Sequence, residues 1–402
     1  KPIIYAANMC EDDFINGYEN NPHYQAVAKI AAEKAGIIKE GVPVASYYDE
    51  VFNSVGLKKC LDRAKAMIDW DAKYPAKDMG NGKVRAVGGA LAMQGSGISG
   101  LDQAAVEIRL SDDGTYNLLI GATDMGTGCD TILAQMAAEC LECELEQIAV
   151  HGVDTDVSPY DTGSYASSTT YVTGNAVIKT CETLKKKMTG LAAEKLECPA
   201  EHIEFDGKRF FSPEDGKEIS LEDLATQSHL ARNDAMSASE SFCSPVSPPP
   251  FMAGIVEIEL DKATGQVEII DYAAAVDCGT PINRNLAKVQ TEGGIVQGIG
   301  MALYENIQYR DDGAMMNNSF MQYKIPTRLD MGKIRVEFES AYEPTGPFGA
   351  KSIGEIVINT PSPALANAIY HACGVRLREL PMTPERIKMA MLAMEKTTAD
   401  PS

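Results

Sequence analysis

The chain has 402 residues, too many for one ordinary hydrophobic core, so its length predicts two or three domains. Hydrophobic residues make up 45% and charged residues 23%, a globular composition that argues against intrinsic disorder. Lys and Arg number 36 against 57 Asp and Glu, and the resulting 36 − 57 = −21 disfavours nucleic acid and anionic membranes as partners.

Residues 1 to about 80 read as helical and connecting material. Gln25 to Ala35 is Ala-rich, and Gly56 to Trp70 carries Leu57, Leu61, Ala64 and Ile68 at helical spacing. The polar stretch DAKYPAKDMGNGK that follows reads as a boundary. Downstream, two segments share one plan. VEIRL, the turn SDDGT and YNLLI lead into ATDMGTG; VEIEL, the turn DKATG and QVEII lead into AVDCGT. Val106, Ile108 and Leu110 alternate, as do Val256, Ile258 and Leu260, so each segment predicts a β-hairpin running into a Gly loop and a helix.

Ile132, Leu133, Met136, Ala137, Cys140 and Leu141 form one apolar face of the first such helix. SPVSPPPF at 244–251 reads as the interdomain linker. Ser362 as N-cap, Pro363 and Gly374 bracket a later helix, and Thr383-Pro384-Glu385 opens a terminal one. The expected fold is α+β: two related β-hairpin-plus-helix units behind a helical N-terminal segment, with boundaries at 1–80, 81–245 and 246–402.

Five motifs carry chemistry. Gly95-Ser-Gly97-Ile-Ser-Gly100 matches a dinucleotide fingerprint, but a strand pattern follows it instead of a helix, so a turn is the reading and a nicotinamide cofactor is not expected. Asp124-Met-Gly126-Thr127-Gly128 precedes a helix, where open N–H groups suit a phosphate or a polarised ring; taken alone, a plain turn capped by Asp130 is the preferred reading. Tyr165 to Gly174 is a hydroxyl run able to serve a many-armed polar ligand or to cap a helix. Gln297, in an apolar glycine-rich helix, reads as a buried amide needing partners at both ends. In GPFGAKSIGE, Glu355 precedes Ile356, Val357 and Ile358; apolar surroundings would raise its pKa toward neutrality and suit it as a general base, against the alternative of a solvated Glu or a pair with Lys351.

The 10 cysteines are scattered, and only Cys140 and Cys143 have metal-ligand spacing, so neither a zinc nor an iron–sulfur framework is expected. No leader pattern and no membrane-spanning apolar run stand out, which fits a reducing cytoplasm. The chain opens on Lys1 and not Met, which leaves room for a longer polypeptide.

Taken in order, DMGTGCDT, ASSTTYVTGNAV, EGGIVQGIG and GAKSIGE resemble the molybdopterin-binding large subunit of the xanthine dehydrogenase family, over roughly residues 55 to 395. The resemblance implies two molybdopterin-binding subdomains at 81–245 and 246–402. It also implies a molybdenum-pterin cofactor (molybdopterin or its cytosine dinucleotide) whose dithiolene holds the metal, so no side chain need ligate it. It places Gly126, Thr127, Gly128, Ser167, Ser168, Thr169, Gln297 and Lys351 at the cofactor, Gly100 and Ala166 at the substrate pocket, and Glu355 as catalytic base. Thr127 departs from the family, standing where xanthine- and aldehyde-oxidising members commonly have Gln.

The implied reaction is hydroxylation of an electron-poor carbon of a heterocycle or aldehyde with water-derived oxygen. Electrons would leave through iron–sulfur clusters and FAD on partner chains or domains. The amino-terminal half of the molybdenum subunit would be a further partner, without which the site is expected to be incomplete. A non-catalytic assembly or cofactor-delivery protein keeping the same fold is the alternative; retention of Glu355 between glycine segments argues against it, since a scaffold needs no base.

Overall fold

The computed structural model describes residues 41, 43–44, 50–232 and 236–399, so the expected Ala-rich helix at 25–35 lies outside the described residues. A two-residue pair, β1 (Pro43–Val44) and β2 (Glu50–Val51), precedes helix α1 (Leu57–Ile68). Cys60, Ala64 and Ile68 are the buried stripe of α1, four residues apart as a helix face requires. A short α2 (Trp70–Lys73) then leads into β3 (Ala76–Gly80) and β4 (Lys83–Met93). The polar stretch expected as a boundary is therefore partly a strand. β3 sits at a sheet edge with four of its five residues exposed, so it carries no apolar alternation to read.

Both predicted hairpins form. β5 (Gln103–Leu110) pairs antiparallel with β6 (Tyr116–Ile120), and the chain then enters α3 (Cys129–Leu141), β7 (Ile148–His151) and the long α4 (Thr169–Leu196). A small sheet of β8 (Glu204–Phe205), β9 (Arg209–Phe211) and β10 (Glu218–Ser220) leads into α5 (Leu221–Arg232) and β11 (Ser237–Cys243). The second hairpin is β12 (Phe251–Asp261) with β13 (Val267–Asp277), followed by α6 (Arg284–Leu303) and β14 (Lys333–Phe338). A four-residue α7 (Ile356–Asn359), α8 (Pro361–Cys373) and α9 (Pro384–Ala399) finish the fold. α8 is capped two residues before the expected Ser362, with Thr360 as the N-cap and Pro361 the first helical residue; Gly374 closes it with φ 78° as expected.

The strands make a four-stranded sheet, β11-β5-β6-β7, and a five-stranded sheet, β14-β13-β12-β4-β3. The first buries Val106, Ile108, Leu110 and Leu118 against α3 and α4. The second is covered on both faces. Val256, Ile258 and Leu260 meet Ile295 and Ile299 of α6 and Leu365 and Ile369 of α8 in one cluster. Ala253, Ile255, Ala273 and Ala275 meet α1 on the opposite side. α8 lies so close to β4 that a Cβ on Gly88 would stand 2.2 Å from the Ala364 carbonyl oxygen.

Strand exchange ties the two halves together. β4, placed with the first unit from the sequence, hydrogen-bonds along its full length with β12 of the second sheet. The proline-rich segment crosses between sheets from β11 to β12, and Ser247 through Pro250 are buried in it. It is a packed crossover, not a flexible linker; Ser247 Oγ donates to the Gly97 carbonyl and accepts the Ser96 N–H. Among the described residues no helix is long and apolar enough to cross a membrane.

Candidate functional site

Three segments distant in sequence meet at one face of the molecule. The loop 95–100 lies beside the turn ahead of α4, where Gly97 N donates to the Ala166 carbonyl over 2.8 Å. The segment ahead of α7 closes on both: Ser352 N donates to Ser96 Oγ over 3.0 Å, and Ser352 Oγ donates to the Ser167 carbonyl. Ser96 and Ser352 are both buried. These two struts were not singled out from the sequence, since lone serines carry no pattern.

At the surface of this junction Ser167 grips Glu355 twice. Its hydroxyl donates to Glu355 Oε2 over 3.0 Å and accepts the Glu355 N–H over 2.9 Å. A Cβ on Gly354 would stand 3.2 Å from Ser167 Oγ, a tight contact that a larger residue could relieve only by shifting the Ser167 side chain by a few tenths of an ångström. The turn that presents Ser167 is strained: Ala166 and Ser167 have φ of 49° and 57°, a left-handed pair of non-glycine residues costing about 1–2 kcal/mol each. Such strain persists only where the surroundings over-determine it, and the Gly97 and Ser352 bonds do so here.

Glu355 is exposed, contrary to the expectation of apolar surroundings. The reason is directional. Ile356 and Val357 are buried, with Val357 packed against Gly294 of α6, so the apolar neighbours point away from the carboxylate. Gln297 is also exposed, not a buried amide. The buried residues of α6 include Thr291, Ile295, Gly298, Ile299 and Ala302, which leaves Val289, Gly293, Gln297 and Met301 as an outward row at four-residue spacing.

The glycine loop reaches the same helix. Gln290 Nε2 donates to the Gly126 carbonyl over 3.2 Å, and the Leu286 side chain fills the space beside Gly128. The N–H groups expected to meet a ligand already have a partner. Asp124 accepts from Gly126 N at 2.9 Å, Gly128 N at 3.1 Å and Asp130 N at 3.4 Å. Burial opposes ionisation of Asp124, but these backbone donors outweigh it and hold its carboxyl below the ordinary range. Asp124 thus takes the capping role expected of Asp130. The ligand atoms of Asp124, Cys129 and Asp130 converge within 4.8 Å, where burial pushes the Cys129 thiol up to about 12 and its sulfur donates to Asp130 Oδ1.

α4, by contrast, begins with no side-chain cap. The hydroxyls around its start are divided: Ser168 Oγ donates to the Gly163 carbonyl and Thr169 Oγ1 donates to Ser164, which leaves Ser167 as the one that reaches Glu355. Gly100 is exposed with nothing within 4 Å of an added Cβ, and Ala166 is half-buried in the turn.

Lys351 is elsewhere. Its side chain is 0% exposed, paired at 2.7 Å with the equally buried Asp277, and its ammonium lies 5.2 Å from the Phe251 ring centroid. Its charge is committed to the core between α1 and the five-stranded sheet, so it does not join the surface set.

Residues 63–332 match the model of the molybdopterin cofactor-binding domain family. The chain is 34% identical over 344 residues to the protein named "Probable hypoxanthine oxidase XdhD" of Escherichia coli (strain K12), covering 84% of this chain and 35% of that one. It is 32% identical to the xanthine dehydrogenase molybdenum-binding subunit of Escherichia coli O157:H7, covering 83% of this chain and 46% of that one. Among solved structures, quinoline 2-oxidoreductase from Pseudomonas putida 86 superposes with a TM-score of 0.78 at 22% identity, over 86% of this chain and 47% of that one; this shows a shared fold. The chain spans between a third and a half of the length of these relatives.

Proposed function

Because the chain belongs to the molybdopterin cofactor-binding family of xanthine dehydrogenase-type large subunits, we propose that it forms one side of a molybdenum hydroxylase active site with Glu355 as general base. The observation that carries the reading is the double Ser167–Glu355 contact, made across 188 positions of sequence on an open face. A base must be both reachable and aimed. The Ser167 hydroxyl fixes the backbone N–H and one carboxylate oxygen together, and Oε1 remains to accept a proton.

The surroundings fit a pterin cofactor. Two neutral groups suit it: the exposed Gln297 amide and the uncapped start of α4 after Ser167. An uncapped helix start offers free N–H groups and the positive end of a dipole, which suits the phosphate arm of molybdopterin or of its cytosine dinucleotide. When bound, the cofactor would supply the metal that activates water-derived oxygen and takes up the electrons. Glu355 would remove the proton as that oxygen is delivered to an electron-poor carbon of a heterocycle or aldehyde. Gly100 and Ala166 would border the substrate, because the loop 95–100 is bonded to the turn that aims Ser167. Lys351 stays outside the proposed set, since it is buried with Asp277.

Glu355 and Gln297 lie open to solvent here, whereas hydroxylation requires water to be controlled around the reacting carbon. The rest of the large subunit would close this face, and iron–sulfur and flavin partners would carry the electrons away. The test is Glu355→Gln in the assembled, cofactor-loaded complex. Molybdenum and pterin content should stay at the wild-type level while turnover falls by about 10²-fold or more. Turnover at the wild-type rate would remove Glu355 as the base, and parallel loss of cofactor and turnover would make it a cofactor ligand instead.

A further inference from the structure

The segment between α6 and β14 is built inside out. Residues 305–330 fold back on themselves through a Tyr309↔Met315 bridge, and Tyr323 OH donates to Glu305 Oε2 over 2.8 Å. The one buried side chain of 307–329 is polar: Asn317, whose amide accepts the Gln308 N–H and donates to the Asn306 carbonyl. Its large apolar side chains face solvent instead. Phe320 is 80% exposed, Met321 86% and Leu329 97%, and Tyr309, Met316 and Ile325 are each at least half exposed. Loops ordinarily keep polar groups outward, and an apolar surface gathered on one ordered segment marks a contact site.

The position of this arm says what it contacts. It leaves the C-terminal end of α6, where Pro326 packs within 3.0 Å of the Gly300 Cβ position. Gln297 and Met301 project from the last two turns of that helix, so the base of the arm adjoins the outward row that carries Gln297. Over 305–329 its charges balance: Arg310, Lys324 and Arg328 against Glu305, Asp311 and Asp312, 3 − 3 = 0. A partner held there is therefore gripped by apolar contact and not steered by charge. More than half of each relative reported above, from 53 to 65% as 100 − 47 and 100 − 35, lies outside the region this chain matches.

We propose that the arm 305–329 is the docking element for the remaining region of the large subunit, the polypeptide that completes the cofactor site, whether continuous with this chain or separate. The inference rests on the proposed function, since that reading supplies the need for a completing polypeptide. An apolar surface on that polypeptide covers Phe320, Met321 and Leu329 and is thereby placed over the Gln297 face of α6.

The test uses the assembled complex from the native host, with a photo-crosslinking benzoylphenylalanine at position 320 or 329. Adducts to the large-subunit region outside residues 1–402 are expected. Adducts to a second copy of this chain, to residues 1–40, or to an iron–sulfur or flavin polypeptide overturn the proposal, as does an intact complex with no adduct. A triple variant, Phe320→Asp, Met321→Asp and Leu329→Asp, should melt as the parent does, because these side chains are exposed, yet be recovered at least about tenfold less in the complex. Recovery at the parental level overturns the proposal. Molybdenum content and the Glu355→Gln effect, measured on the same preparations, report on the proposed function separately. A complex without molybdenum sinks that reading while the adduct still identifies what the arm holds.

Discussion

The two hairpins end in the same four-residue pattern, Asp124-Met125-Gly126-Thr127 and Asp277-Cys278-Gly279-Thr280, and put it to opposite uses. In both, the aspartate Oδ1 accepts the N–H of the glycine two residues on, at 2.9 Å in the first copy and 3.0 Å in the second. There the likeness stops. Asp124 is exposed and spends its other bonds on its own loop, whereas Asp277 is fully buried and accepts from Gly56 N and Lys351 Nζ, which lie far away in sequence. The second loop is an anchor that ties the approach to α1 and the Glu355 segment to the sheet. The first is an exposed loop that touches α6 only from outside, through Gln290 and Leu286. A shared turn chemistry thus fixes local shape, and what packs on it decides its role.

The largest expected effect breaks the anchor. Lys351→Met leaves the Asp277 carboxylate buried without its cation and should cost about 3–5 kcal/mol, read as a lower denaturation midpoint at neutral pH. Adding Asp277→Asn should recover part of the loss, since the amide oxygen still accepts from the Gly56 N–H. A stable Lys351→Met protein that binds no molybdopterin would return Lys351 to the cofactor set and abolish the contrast between the loops.

The next effect compares the paired glycines directly. A Cβ on Gly279 would stand 2.2 Å from the Gly349 carbonyl oxygen, while one on Gly126 meets nothing within 4 Å. Both have positive φ, 66° and 98°, so each Ala substitution carries left-handed strain of about 1–2 kcal/mol. Gly279→Ala adds a forced backbone shift, about 1–3 kcal/mol more. Equal losses at the two positions would show that the loops are packed alike.

This contrast marks where sequence reading succeeds and where it stops. The hairpins, the helix after each Gly loop and the Gly374 stop were legible because alternation, turn residues and caps are local. The resemblance also names Ser167 and Glu355, and the fold brings them within 3.0 Å of each other. Facing was not legible. Gln297 was placed inside because its neighbours are apolar, yet four-residue spacing with Val289, Gly293 and Met301 puts it outside. Glu355 was surrounded on paper by Ile356 and Val357, which turn inward. The Lys351–Asp277 pair spans 74 positions, and no local pattern announces it. The proline-rich crossover shows the same limit, since composition says "linker" and only tertiary packing says "buried".

The smallest effect tests whether the first loop is self-contained. Asp124→Ala removes the acceptor for three backbone N–H groups near the start of α3 and should cost about 1 kcal/mol, the usual value of an exposed cap. Its pH dependence has a definite sign. The folded-state value lies below the ordinary 3.8, so the contribution is present above 3.8 and fades as pH falls through the lower folded value. Asp130 goes the other way, raised by burial and then by the charge of Asp124; its contribution favours the folded state below 3.8 and is lost as pH rises through its folded value. Asp124→Ala should therefore move the Asp130 titration back toward 3.8 in a carboxyl-resolved NMR experiment. An unmoved Asp130, with stability parallel to the parent from pH 2 to 5 (roughly the carboxylate range), would mean that the loop is held from outside. In that case Asp124, like Asp277, would answer to its packing, and the two copies would differ in exposure alone.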